Sequence, residues 1–354
     1  MFSFFDNKNI LITGHTGFKG SWLSYILSQK TRANVTGYAL IPEPGQNLFS
    51  LLNLDQKINS VIGDIRDIKR LREVFRKNKP DIVVHLAAQP LVKYSYDNPV
   101  YTYETNVMGT VNLLECFREA DCVRSALNVT TDKVYENKEW VWGYREDEVL
   151  NGFDPYSNSK SCSELVTHSY RQSFFTNREI AISTARAGNV IGGGDFSLDR
   201  IIPDCVKAAT NKETIKVRNP FSIRPYQHVL EPLFAYLMIL KKQYEDISYS
   251  GAYNIGPNEK DCITTKTLVE LFCRKWGEEQ KWQSIDVEGP HEANFLKLDC
   301  SKFKAKYFWQ PRWNIDLAVE NTVNWFKEYL HKSSIEEFTE RQINEFIDGE
   351  KINV

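Results

Sequence analysis

Between residues 9 and 192 short apolar runs alternate with helical patterns, and this alternation limits the possible folds more than any other feature. NILIT (9–13) predicts a strand, followed by a glycine-rich turn and a helix over SWLSYILSQ (21–29). Strands are predicted at 34–40, 61–65, 81–88, 126–130 and 180–192. Helices are predicted at 68–78, 100–120 and 157–175. Such a rhythm predicts an α/β fold, a parallel sheet covered by helices on both faces. Right-handed crossovers then make it doubly wound and Rossmann-like.

After Gly192 the rhythm changes. A helix at 201–210, a strand at 214–220, helices at 231–243 and 264–277, an apolar run at 252–256 and a charged helical stretch from Asp316 follow. No repeat or long linker separates them from the first half. We therefore expect a smaller, interleaved C-terminal α+β domain. The expected division is 1–189 with 227–256, and 190–226 with 257–354.

A net charge of -2 argues against a nucleic-acid partner, which needs a basic footprint. Seven cysteines without a C-x-x-C pair read as reduced thiols of a cytoplasmic protein, with no disulfide frame and no metal site. The start, MFSFFDNKNILITG, lacks the basic and cleavage features of a signal peptide. No uninterrupted apolar run reaches about 18 residues, so no membrane span is expected.

TGHTGFKG places Gly14, Gly17 and Gly20 between a strand and a helix. Backbone amides there approach a pyrophosphate closely, and a helix N-terminus favours negative charge. The spacing is G-x-x-G-x-x-G. Asp64 has two open readings: an acceptor for an adenine amine, or the N-cap of the next helix. His15 and Lys19 either help the phosphates or face solvent. The second strand ends in GYAL, with neither an acid for a ribose hydroxyl nor an arginine for a phosphate, so it does not choose between NAD and NADP.

TTDKVY (130–135) closes the fifth strand with hydroxyls, an acid and a base in succession. Further on, DPYSNSKS sets Tyr156 and Lys160 four apart on one face of a helix start. An ammonium beside a phenol lowers its pKa and lets it act as a base near neutral pH.

Together, TGHTGFKG, HLAAQP (85–90), Thr105-Asn106, TTD and YSNSK resemble the extended short-chain dehydrogenase/reductases. The resemblance implies NAD as cofactor. It implies cofactor contacts at Gly14, Gly17, Phe18, Lys19, Gly20, Asp64, Ile65, Leu86, Ala87, Ala88, Thr130, Tyr156 and Lys160. It also implies that Thr131 and Tyr156 bind one sugar hydroxyl, that Tyr156 takes its proton, and that Lys160 holds the ribose and tunes Tyr156.

An epimerase has no use for an acid and a base after the threonine; a nucleotide-sugar 4,6-dehydratase does. Most such enzymes carry Asp-Glu there, and Asp132-Lys133 resembles the CDP-glucose 4,6-dehydratases instead. GHTGFKGSWL, TDKVYENKEWVWGYRE, ARAGNVIGGGDF, RNPFSIRPYQHVLEPL and PHEANFLKLDCSK extend that resemblance over nearly the whole chain. Dehydration of CDP-D-glucose, or of another nucleotide sugar (GDP-, UDP- or heptose-linked), for deoxysugars of a lipopolysaccharide O-antigen is then expected.

Lys133 is read as the base, its pKa depressed by burial near Lys160, with Asp132 as the acid. The other reading is an ion pair that holds Asp132. For the nucleotide end the resemblance implies Asn189, Arg218, Arg224 and His228, since arginine forks suit diphosphate oxygens; His228 and Glu231 alternatively brace the loop. Trp140, Trp142 and Tyr144 either wall the sugar pocket or pack their loop onto the second domain. The roles of His291 and Glu292 are open. A homodimer or homotetramer through the helices at 100–120 and 157–175 is implied by resemblance alone.

Overall fold

The computed structural model describes residues 1–277, 279–285 and 293–349. Its main sheet has seven strands. Six of them are β1 (Asn9–Thr13), β2 (Asn34–Ala39), β3 (Asn59–Ile62), β4 (Ile82–His85), β5 (Ser125–Val129) and β6 (Ala181–Ala187). The strand Ala252–Ile255 is the seventh, and the spatial order is Ala252–Ile255, β6, β5, β4, β1, β2, β3. The pairings of β1 with β2 and β4, β2 with β3, β4 with β5, and β5 with β6 are all parallel. The expected doubly wound sheet is thus present, and the order reverses between β1 and β4.

Buried strands of a parallel sheet read as continuous apolar runs because both faces are covered. On one face Leu11, Val83, Ala126 and Ile182 meet Leu71, Val74, Phe75, Leu113, Leu114 and Phe117. Across the sheet, Ser125 Oγ donates to the Leu240 carbonyl at 2.9 Å, tying the helix Leu230–Glu245 to β5.

The helix predicted from residue 21 begins at Phe18, with Gly17 as N-cap. Gly20 therefore lies inside it: a Cβ there would fall 2.1 Å from the Gly14 carbonyl oxygen. The helix expected at 100–120 runs from Pro99 to Glu119 with a π-turn at Glu104–Met108. The sixth expected strand, 180–192, breaks after Ala187, and Val190–Ile191 pairs with Gln227–His228 in a separate ladder. Asn189, at φ 43°, makes the break.

The chain divides into two compact units. The first contains Met1–Glu136, Glu146–Ala187 and Leu233–Asn254. The second contains Asn137–Arg145, Gly188–Pro232 and Ile255–Val354. The second unit carries short two-stranded ladders and the helices Ile201–Thr210, Thr265–Trp276, Ser301–Tyr307, Ile315–Leu330 and Ile335–Asp348. Among the described residues, no helix is long and apolar enough to cross a membrane, and no cluster suits a metal ion.

Candidate active site

The C-terminal ends of β1 and β4 flank the point where the strand order reverses, which is where ligands bind in open α/β sheets. Gly14 takes φ 78°, and a Cβ on it would meet the Ala87 nitrogen at 2.7 Å. The chain after β4 therefore passes directly over the glycine turn, bringing Leu86, Ala87 and Ala88 beside it. Asn106 clamps the continuation of that segment: it accepts from Gln89 N at 2.9 Å and donates to Gln89 O at 3.0 Å. Gly17 differs from its neighbours. A Cβ on it would meet only the Gly14 oxygen, at 3.5 Å, and no side chain caps the helix it begins. An uncovered helix N-terminus of this kind, flanked by Phe18, half-buried Lys19 and Gly20, fits a dinucleotide pyrophosphate.

His15 serves neither expected purpose. Its ring is fully buried, lies edge-on to Phe49 at 5.3 Å, and bonds Ser60 Oγ through Nε2 at 2.7 Å. Burial pushes its pKa down to about 4, so the ring is neutral.

Asp64 does not cap the following helix; Asp67 does, accepting from Arg70 N. The Asp64 carboxylate is forked by Arg66, with Nη2 at 2.7 Å and Nε at 3.0 Å from Oδ2. Burial would raise its pKa, but those bonds hold it below the usual carboxylate range. Arg66 reaches on to Glu104 at 2.9 Å and lies over the Tyr101 ring. The Ile65 side chain points into the core, against Gly109.

β5 ends at Val129, and the hydroxyls after it face different partners. Thr130 turns inward, its Oγ1 donating to Glu164 Oε1 at 2.5 Å. Thr131 caps a short 3-10 turn, Asp132–Val134, and its Oγ1 donates to Asp132 Oδ1 at 3.0 Å. Asp132 is fully buried, and Lys133 Nζ stands 3.6 Å from its Oδ1. The expected burial of Lys133 is not found, since 32% of its side chain is exposed. The ion pair of the alternative reading is formed.

The helix Pro155–Tyr170 is started by a proline in its first turn and by Asp154, which accepts from Ser157 N. Tyr156 N donates to Ser95 Oγ at 3.1 Å. One turn on, Lys160 Nζ donates to the Val129 carbonyl at 3.1 Å. Ser161 Oγ donates to Val134 O at 2.7 Å, fastening the helix to the turn that bears Asp132 and Lys133. The structure thus brings Thr131, Asp132, Lys133, Tyr156 and Lys160 to one strand end. Burial lowers the Lys160 pKa to about 8, opposed by the charge of Glu164. Sequence reasoning missed Glu164 and its partner Arg186. Their only signal was a glutamate four residues after Lys160 and an arginine within an apolar strand.

In the second unit, Asn189 sits at the break already described. Arg224 is 8% exposed, and its guanidinium bonds the carbonyls of Ile223 and Ala293. Arg218 is half-exposed, 4.0 Å from Asp199. His228 is fully buried; its Nδ1 accepts from Leu230 N, and its ring lies edge-on to Trp313 at 4.7 Å. Burial pushes its pKa down to about 3, so it carries no charge for a phosphate. Glu231 accepts from Arg312 N at 2.8 Å and Trp313 N at 2.7 Å. The bracing reading holds for both residues. Trp140 stacks on Tyr144 at 5.4 Å, and the Tyr144 hydroxyl bonds Asn137 and Lys138 N, so this loop packs on itself while Trp142 stays exposed. His291 and Glu292 lie outside the described residues.

A family model described as GDP-mannose 4,6 dehydratase matches residues 11–322. The CDP-glucose 4,6-dehydratase of Salmonella typhimurium is 44% identical over 98% of this chain and 98% of its own. The human dTDP-D-glucose 4,6-dehydratase is 25% identical over 92% of this chain and 91% of its own. Among solved structures, DesIV of Streptomyces venezuelae, a dTDP-glucose 4,6-dehydratase with NAD and TYD bound, superposes at TM-score 0.79. It is 23% identical and covers 92% of this chain and 98% of its own, a likeness of fold. The matched span and the Salmonella relative carry the conclusion that the chain belongs to the 4,6-dehydratase family, within the extended short-chain dehydrogenase/reductases.

Proposed function

We propose that this protein is an NAD-dependent CDP-D-glucose 4,6-dehydratase that forms CDP-4-keto-6-deoxy-D-glucose and water. The observation that carries the reading is the pairing of buried Asp132 with partly exposed Lys133, beside Thr131 and fastened to the helix of Tyr156 and Lys160. An epimerase would use Thr131, Tyr156 and Lys160 and leave that pair without a task. The glycine turn with Gly14, Gly17 and Gly20 would hold NAD, which would supply a reversible hydride store between C4 and C6 with no net consumption.

In this reading Thr131 and Tyr156 hold the C4 hydroxyl, and Tyr156 removes its proton with Lys160 favouring the phenolate. A carbonyl at C4 makes the C5 proton acidic. Passing one proton from Lys133 to Asp132 turns their ion pair into a neutral amine and a carboxylic acid, which are the base and acid the elimination needs. Lys133 takes the C5 proton, and Asp132 gives its proton to the departing C6 hydroxyl. Both residues are then back in their resting charge states. C5 regains a proton from Lys133, which the O4 proton held by Tyr156 then replaces, so the protons lost from O4 and C5 equal those added to O6 and C5.

For the nucleotide end we propose Arg224, Arg218 and Asn189 as diphosphate ligands; for Arg224 this requires release of its two carbonyls. Homo-oligomerisation is supported by Val100, Met108 and Leu165 on the two long helices and Phe174 in the π-turn Arg171–Phe175 that follows the second, which are 70%, 51%, 53% and 46% exposed. Seven free cysteines support a reducing compartment.

Incubation with CDP-, dTDP-, UDP- and GDP-glucose, with product mass measured, tests the reading. Loss of one water from CDP-glucose without net NADH is expected. Loss from another nucleotide sugar alone moves the substrate; epimerisation without water loss refutes the dehydratase.

A further inference from the structure

Behind the YxxxK pair lies a charged network that the roles above leave unused. Glu164, one turn beyond Lys160, and Arg186, on β6, are each 3% exposed and are paired at 3.0 Å. Thr130 and Thr184 donate to the two Glu164 oxygens at 2.5 and 2.6 Å. Arg186 donates to the Tyr135 hydroxyl at 2.8 Å and to the Glu146 carbonyl at 3.0 Å. Burying two charges costs several kcal/mol per ion, and such a pair is often no more stabilising than apolar residues of equal volume. A functional reason is therefore needed. Placement offers one: Lys160 bonds the carbonyl of Val129, and Glu164 bonds the hydroxyl of the very next residue, Thr130.

We infer that Glu164, locked by Arg186, Thr130 and Thr184, is a positioning residue that keeps Lys160 charged at the end of β5. The inference rests on the role proposed above for Lys160. The other ionisable groups around it are Tyr156 on the same helix, Asp132 and Lys133 on the turn after β5, and His85 on β4. His85 is held neutral, its pKa pushed to about 3 by burial and by Lys160. Burial, and secondarily the charge of Tyr156, raise the phenol of Tyr236, on the Leu230–Glu245 helix, above the usual value. Asp132 already has Lys133 as counter-charge. Glu164 is thus the carboxylate that opposes the desolvation of Lys160. Without it the ammonium is lost at lower pH, and a neutral lysine no longer favours the phenolate of Tyr156.

The test compares wild type, Glu164→Asp, Glu164→Gln and the doubly neutral E164Q/R186Q. Two readouts are taken: the pH midpoint for reductive methylation of Lys160, read by peptide mass, and the alkaline limb of kcat. In both Gln variants the midpoint and the limb are expected to move down by about one pH unit, with Glu164→Asp restoring them. A folded Gln variant with the wild-type midpoint overturns the inference, however far its Tm falls. Failure of both Gln variants to fold also overturns it, by making the pair a folding element. Methylation needs no substrate, so absent turnover of CDP-glucose by the wild type counts against the functional reading alone.

Discussion

His15 occupies the space that a side chain on Gly37 would need: a Cβ built there falls 2.2 Å from the imidazole ring. Gly37 lies inside β2, so the strand gives up a side chain to seat a buried histidine from the glycine turn. Gly37→Ala is expected to cost about 1–3 kcal/mol by overpacking. Thermal denaturation checks it, and in H15A/G37A the loss should be smaller than the two single losses summed, because the clash is gone.

Gly17 and Gly20 separate ligand binding from folding. Gly17→Ala meets only one backbone oxygen at 3.5 Å, so its Tm should stay near wild type while its Cβ stands over the open helix N-terminus. NAD affinity, measured by calorimetric titration, is expected to fall at least about tenfold, about 1.4 kcal/mol. Gly20→Ala meets the Gly14 oxygen at 2.1 Å and should lower Tm itself. Equal behaviour of the two variants would contradict a phosphate cradle at Gly17.

Glu231 makes stability depend on pH with a sign opposite to that of most carboxylates. Burial raises its pKa to about 7, against 4.5 for an ordinary glutamate. Between those values the unfolded chain has released a proton that the folded chain keeps, so this group's contribution falls as pH rises from about 4.5 to about 7. Glu231→Gln keeps an acceptor for Arg312 N and Trp313 N without a charge. Its Tm should equal or exceed wild type at pH 8, and the difference should shrink toward pH 5. A large Tm loss at pH 8 would show that the charge itself holds the loop.

The proton chemistry can be divided by variant. Tyr156→Phe should lower kcat by about 10²–10⁴ while leaving NAD bound. Asp132→Asn should stall after oxidation and accumulate bound NADH, visible by absorbance. Lys133→Gln should lose exchange of the C5 proton with deuterated solvent; exchange at the wild-type rate would return Lys133 to a purely ion-pairing role.

The sheet and its order of elements were legible because parallel strands buried on both faces leave unbroken apolar runs. Thr131, Asp132, Tyr156 and Lys160 were legible for another reason: they lie close in sequence to one strand end, or one helical turn apart. His15 was not, because the glycine that accommodates it stands 22 positions away in a different strand. Of the two readings of Asp64, the cap fails because Asp67, three residues on, offers the same chemistry at the correct helical position. The burial of His228, Arg224 and Glu231 depends on partners such as Ala293, Arg312 and Trp313, more than sixty residues distant, which local pattern cannot supply.

The hydroxyl of Thr131 both caps the turn after β5 and donates to Asp132. The atom expected to touch the sugar is therefore also one that shapes the floor beneath it. Selection on the chemistry and selection on the local fold act on the same oxygen, and only serine could replace threonine without giving up both. A mutational scan at this position would report a single intolerant site where two separate requirements coincide.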